Sequence, residues 1–387
     1  MRIAHIITRM IVGGAQENKL LCCQDLRRLY GDEVLLITGQ SLGPEGELLG
    51  QGGAGDVPLA LVPALRRSIH PWRDLRSYWQ MKRLLREFRP EVVHTHSAKG
   101  GFLGRLAASA LGVPAIVHTV HGAPFHPYQR SLARTLFRWC ERYAARRCHQ
   151  LVSVADAMTE LLVAAGVAPR DKFVTVYSGM DVVPFLVADD QRETVRRELG
   201  FRPEHVVVGK IARLFHLKGH AYLIDAATSV VRQCPDARFL LVCDGILRRP
   251  LEQQIAAAGL TGYFHFTGLV PPARIPALVG AMDMLVHASL REGLARALPQ
   301  ALIAGKPVVS YDVDGAREVV VSGETGFLIP PQTIAPLAEA IVRLAADPPL
   351  RRRLGRTGRE RFTERFRHET MTQQLRAIYL RLLNRSA

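Results

Sequence analysis

The sequence predicts an α/β protein made of two tandem, doubly wound domains that face each other across a cleft. Three observations carry this. Short apolar, strand-like runs alternate with helical ones along most of the chain. The series halts at an irregular, polar stretch, 184–205, and restarts at "VVVGKIAR". The chain has 387 residues, 48% of them apolar, enough for two cores and too many for global disorder. Strand–helix alternation implies parallel sheets covered on both faces, because each parallel connection needs a crossover.

The elements follow in order. "RIAHIIT" reads as a first strand: its apolar run is too short for a signal peptide, and no small-residue cleavage site follows. A glycine turn leads into the helix "QENKLLCCQDLRRLY". "EVLLIT", "RDLRSYWQMKRLLREF", "EVVHTH", "GRLAASALG" and "AIVHTVHG" continue a Rossmann-like domain expected over 1–183. "VVVGKIAR", "AYLIDAATSVVRQC", "ARFLLVCDG", "PLEQQIAAAG", "YFHFTGLV", "RIPALVGAM", "MLVHAS" and "PVVSYDV" build a second, expected over 184–366. The remaining 367–387 carry "HETMTQQLRAIYLRLL", an amphipathic helix expected to pack back on the first domain.

Composition limits the function. No apolar run approaches the length of a membrane span. Six cysteines without paired metal spacing fit a reduced, cytoplasmic compartment. A net charge of +16 favours anionic partners: a phosphorylated substrate or an acidic lipid surface. Nucleic acid is not expected, since no recognised motif for it is present. Two basic stretches with aromatics, "HPWRDLRSYWQMKRLLREFRP" and "HPYQRSLARTLFRWCERYAARR", point to a peripheral position on the inner face of a membrane. The first also reads as an ordinary helix with a core-facing side. The second makes the stronger case, because its cations so outnumber its acids.

Ligands of open parallel sheets bind beyond the carboxyl ends of strands, so the strand-to-helix loops matter most. In "HASLREGLARALPQAL", Pro299 is tolerated only in a first helical turn, which places a helix start near Arg296. The amides of Gly293, Leu294 and Ala295 then lie at a helix N-terminus, beside Glu292. Alone, Glu292 reads equally well as an acid stabilising that terminus. In "VGKIARLFHLKGH", Arg213 and Lys218 follow a strand and suit a diphosphate, or form a solvated basic loop. Gly13 and Gly14, between the first strand and first helix, allow close approach of backbone to a ligand. They do not make G-x-G-x-x-G, which disfavours a nicotinamide-dependent oxidoreductase. His94, His96, His118 and His121 end two strands. Zinc ranks behind donors to sugar hydroxyls, since no cysteine or carboxylate completes a ligand spacing. His94 and His118 are expected in the core. Lys99 and the pair Gly100–Gly101 are expected in the next turn, exposed to the cleft; His96, Lys99 and Gly100 are the acceptor-side candidates.

Together "GGAQE", "VHTHSAKGGFLGR", "TVHG", "SVADAM", "GKIARLFHLKGH", "GLVPPARIPALVGAMDMLVHASLREGL" and "GKPVVSYDVDGAREVVVSGETGFLIPP" resemble glycosyltransferase family 4, retaining enzymes of the GT-B fold. The resemblance covers nearly the whole chain. It implies transfer of a sugar from a nucleotide diphosphate sugar, by preference a uridine one, to a glycan or lipid-linked acceptor of the cell envelope. The nucleotide sugar is a substrate, and no cofactor or metal is expected. By the resemblance, the first domain binds the acceptor and the second the donor. Gly13 and Gly14 would face the diphosphate and sugar, and His121 would sit beside the transferred sugar. Arg213 and Lys218 would hold the diphosphate, and Leu269 and Val270 the base. Glu292, with the amides of Gly293, Leu294 and Ala295, would contact the sugar. Gln300 stands where the family's second glutamate holds the ribose, and Ser178 where asparagine is usual. Either an amide or a carboxylate oxygen accepts from a ribose diol, so Gln300 predicts weaker nucleotide binding, by about 1–2 kcal/mol, not a dead enzyme. The alternative that Gln300 raises is a non-catalytic scaffold that binds nucleotide sugar or carbohydrate.

Overall fold

The computed structural model describes residues 1–11, 13–40 and 55–386. They divide into two units, one of residues 1–180 with 366–387, the other of residues 181–365. In the first, strands β1 (Arg2–Arg9), β2 (Glu33–Gly39), β3 (Leu59–Leu61), β4 (Val92–His96), β5 (Ala115–Val120), β6 (Gln150–Ser153) and β7 (Phe173–Thr175) make one parallel sheet in the order β3-β2-β1-β4-β5-β6-β7. The helices between them are α1 (Gly14–Tyr30), α2 (Pro71–Phe88), α3 (Ala98–Ser109), α4 (Ser131–Ala145) and α5 (Asp156–Ala164). In the second unit, α6 (Val183–Leu186) and α7 (Arg192–Glu198) precede β8 (Val206–Ile211). There follow α8 (His220–Gln233), β9 (Ala237–Val242), α9 (Arg248–Ala257), β10 (Phe264–Phe266), α10 (Ile275–Ala281), β11 (Met284–His287), α11 (Ala297–Ile303), β12 (Val308–Tyr311), β13 (Gly326–Ile329), α12 (Ala335–Ala346) and α13 (Pro348–Phe362). This sheet is also parallel, ordered β10-β9-β8-β11-β12-β13.

Each sheet reverses its winding once, between β1 and β4 and between β8 and β11. At such a switch point adjacent loops leave in opposite directions and open a crevice past the strand ends. The central strands are buried on both faces, as apolar runs without alternation require: β4 and β5 have no exposed residue. α8, α9 and α12 cover one face of the second sheet, with Leu223, Ile224, Leu251, Leu337 and Ile341 packed over Val208, Leu241 and Val286.

The last helix, α14 (His368–Ser386), belongs to the first unit and packs on α1. Apolar Met371, Leu375 and Ile378 meet Leu20, Cys23 and Leu26. Asp25 accepts from Thr372 and pairs with His368, and Arg376 reaches Asp32 at 2.9 Å.

The stretch 184–205, expected to be irregular, is largely helical. Its arginines explain the order. Arg192 donates to the carbonyls of Gly280 and Met282 and pairs with Asp283, which Arg196 also holds. The segment is thereby riveted to the start of β11, a tie that runs over some ninety residues of sequence.

Candidate active site

At the switch point of the second sheet, the loop after β8 carries Arg213 and Lys218 and the loop after β11 carries Glu292. The two loops are tied: the Leu290 amide donates to the Leu217 carbonyl at 2.8 Å. Gly219 makes the approach feasible. It sits at φ +66°, and a Cβ there would lie 1.7 Å from the Ala288 carbonyl oxygen. The result is a short ion pair, Lys218 Nζ to Glu292 Oε1 at 2.6 Å. The same oxygen receives His287 Nε2 at 3.2 Å. His287, Lys218 and their hydrogen bonds outweigh burial and hold the Glu292 carboxyl well below the usual carboxylate range.

The backbone of Glu292 is fixed separately. Its amide donates to the Asp314 carboxylate at 2.6 Å, and the Gly315 amide donates to the Gly293 carbonyl. Gly293, Leu294 and Ala295 form the approach to α11, which begins at Ala297 with Pro299 in its first turn. Gln300 lies in the same helix, partly exposed. Arg213 is exposed, its guanidinium 5.0 Å from the Phe215 ring centre. Leu269 and Val270 follow Gly268, which bridges to Cys243, and Leu269 is more than half exposed.

Asp312 and Asp314 stand two apart, a spacing that divalent cations use, against the sequence-based expectation that the chain offers no such pair. Both carboxylates are engaged, Asp312 by two bonds from Arg317 and Asp314 by the Glu292 amide. His287 and Asp314, which fix the side chain and backbone of Glu292, were equally unmarked in the sequence. The histidine that ends "MLVHAS", at the carboxyl end of a buried strand, was the available signal.

In the first unit, Gly13 caps α1 in an extended conformation, and Gly14 is the first helical residue. His121 follows β5 and bonds through Nε2 to His96 Nδ1 at 3.3 Å, while His96 Nε2 meets His5 Nδ1 at 3.3 Å. His5, His94 and His96 place their donor atoms within 4.8 Å of one another, close enough to share an ion. Most of their nitrogens are engaged otherwise, and among the described residues only His5 Nε2 of the three rings has no partner. His94 binds Tyr379 of α14 through Nδ1 and Thr119 through Nε2. Burial and the nearby Lys19 cation push all three imidazoles far below their usual range, so they are neutral, and that cation opposes a metal. His118 is a core residue bonded to Thr95.

Two expectations for the acceptor side need correction. Lys99 and the glycines are not in an open turn. They form the first turn of α3, and Gly100 and Gly101 are buried because a Cβ would strike the Thr8 amide at 2.8 Å or the His118 ring at 2.3 Å. Lys99 is held by Asp74 at 2.7 Å and by the Ser68 carbonyl. His96 is fully buried and bonds to the partly exposed His121.

Two parallel-sheet, Rossmann-like units with loops of this chemistry at their switch points define a GT-B-type transferase. Residues 13–179 match the family described as glycosyl transferase 4-like domain, and residues 191–361 that described as glycosyl transferases group 1. The chain is 30% identical to the 2-deoxystreptamine glucosyltransferase of Streptomyces kanamyceticus, over 79% of this chain and 83% of that one. It is 28% identical to the UDP-Gal:alpha-D-GlcNAc-diphosphoundecaprenol alpha-1,3-galactosyltransferase of Escherichia coli, over 90% and 88%. Among solved structures, HepE of Anabaena in complex with UDP and glucose superposes with a TM-score of 0.81, at 24% identity, over 98% of this chain and 99% of that one. The chain belongs to the group 1, family 4-like glycosyltransferases. It is a transferase, which sets aside the scaffold alternative.

Proposed function

We propose that this glycosyltransferase moves a hexose, with retention and without a metal, from a uridine diphosphate sugar to a lipid-linked acceptor at an acidic membrane surface. The observation that carries the donor half is the meeting of Lys218 and Glu292 at the switch point of the second sheet. Breaking a sugar–phosphate bond develops negative charge on the departing diphosphate and positive charge on the sugar. Lys218 and Arg213 supply fixed cations for the first, and Glu292 an ionised acceptor for sugar hydroxyls. In the front-side displacement proposed, the acceptor oxygen bonds to the anomeric carbon as its bond to the β-phosphate oxygen breaks. That oxygen takes the acceptor's proton. His121, oriented by His96, is the proposed neighbour of the sugar in the first unit. Gly13 and Gly14, Leu269 and Val270, the amides of Gly293 to Ala295, and Gln300 keep the donor-binding roles proposed for them. A uridine donor is favoured because the E. coli relative is named for UDP-galactose and HepE was solved with UDP.

The acceptor half rests on α4. Leu132, Leu136 and Trp139 make an exposed apolar stripe, with Leu132 85% exposed. Arg130, Arg134, Arg138, Arg142 and Arg146 recur every fourth residue beside it. The one acid of the helix, Glu141, is buried against Arg105 at 2.9 Å, so its exposed face carries no negative charge. On α2, Ser77, Met81 and Leu85 face the core while Trp72, Leu75 and Trp79 point outward. Apolar stripes flanked by arginine suit the headgroup region of an anionic bilayer. Among the described residues no helix is long and apolar enough to cross a membrane.

The test of the donor reading is slow hydrolysis of nucleotide sugars. The wild type releases UDP from its cognate donor and Arg213→Ala does not. Equal rates for the two proteins overturn the assignment.

A further inference from the structure

Lys210 lies on β8, one residue beyond the pairing of Gly209 with Leu285 of β11. It is fully buried, and among the described residues its Nζ has no hydrogen-bond partner. It feels the charges of Glu292 and Lys218 from the two loops, and its own charge acts on His220 from the first turn of α8 and His287 from β11. Asp314 and Arg291 act on Glu292 from beyond. Around Lys210 the polar atoms are short of partners: Nδ1 of His287 is buried without one, and His220 has only the Ala212 backbone to bond to. A buried, unpaired amine is costly, which points to a state in which it is paired.

In this structure Lys218 serves Glu292. Under the function proposed above, on which this inference rests, donor binding draws Lys218 to the diphosphate. Glu292 then remains as a partly buried carboxylate bonded to a neutral histidine. We propose that Lys210 is the reserve counter-ion of Glu292: as the diphosphate takes Lys218, Lys210 binds a proton from solvent and pairs with Glu292. The proton adds to the amine as R–NH2 + H+ → R–NH3+, and no other bond changes. His287 fills this role less well. Its Nε2 already donates to Glu292, and a second proton would place an N–H at the partnerless Nδ1. The electrostatics run the same way. At rest, burial and the Lys218 cation hold Lys210 down to about 7, against the pull of Glu292. Moving Lys218 away and bringing a diphosphate close both favour the charged amine.

Donor binding and proton uptake are therefore linked. Isothermal titration at pH 8, in buffers of low and high ionisation enthalpy, counts the protons. UDP is titrated, with ADP, GDP and TDP in parallel. The nucleotide's own terminal phosphate ionises near about pH 6 and contributes nothing there. From a resting value of about 7, the wild type takes up as much as about 0.9 proton per nucleotide, and its Kd weakens up to about tenfold from pH 7.5 to 8.5. Lys210→Met, of similar length and suited to an apolar site, binds without uptake and without that pH dependence. Binding by the wild type with no proton uptake and a flat Kd overturns the counter-ion and leaves the donor site standing, a result that needs no variant. Uptake that persists in Lys210→Met also overturns it. Absence of binding by all four nucleotides overturns the donor site and the counter-ion together.

Discussion

Mild acid should unfold the first unit, and four histidines set the amount. His5, His94, His96 and His118 are at most 2% exposed, and burial with nearby cations pushes each far below its ordinary value. The unfolded chain binds protons at these imidazoles near about pH 6.5 and the folded unit does not. Unfolding thus takes up protons below that pH, and stability falls as pH falls. At pH 5.5 the loss is about 1.4 kcal/mol for each histidine, and at pH 7.5 it is close to zero. Four together remove roughly 5–6 kcal/mol over two pH units, comparable to the whole stability of a typical domain. Urea unfolding followed by circular dichroism at the two pH values, at fixed ionic strength, measures this. With a slope of about 2–3 kcal/mol/M, the midpoint moves down by about 2 M. His5→Leu removes one proton site and shrinks the shift by about a quarter. Midpoints that agree to about 0.3 M would refute the claim that these rings are neutral and shielded from solvent.

Other outcomes follow from single contacts. Gln300→Glu tightens UDP binding by about 1–2 kcal/mol, about five- to thirtyfold in Kd, if residue 300 faces the ribose; an unchanged Kd places it elsewhere. Gly219→Ala forces a positive φ on alanine and drives its Cβ into the Ala288 carbonyl. It costs about 3 kcal/mol or more, lowers the melting temperature by roughly 6–12 °C and abolishes nucleotide binding. The wild type floats with liposomes rich in anionic lipid at low salt, and Leu132→Glu with Trp139→Glu stays in the pellet fraction; flotation that survives the double change removes α4 from the membrane.

Sequence pattern revealed the parts of this molecule that are periodic and local. Pro299 dated the start of α11 because proline obeys a rule of position, and the apolar runs without alternation meant strands covered on both faces. What escaped was set by contacts between distant residues. The helices of 184–205 are short, and Pro184, Pro203 and paired acids read as loop; their order comes from Arg192 and Arg196 reaching Asp283. Lys99 was read as open to solvent because nothing local showed that α2 would bring Asp74 beside it. His94 is satisfied by Tyr379, which lies 285 residues away.

Lys210 shows the limit best. In "VVVGKIAR" nothing local shows where a lysine among apolar residues goes. A central strand of a doubly wound sheet has no outward side, so the strand order of the second sheet, with β8 between β9 and β11, turns that lysine inward. Direction along the strand then decides its role. Lys210 lies near the carboxyl end, where the loops bearing Lys218 and Glu292 leave. A cation buried a turn deeper would only destabilise the core, and one residue further on it would be solvated. At this depth it is shielded while Lys218 holds Glu292 and becomes useful when Lys218 lets go.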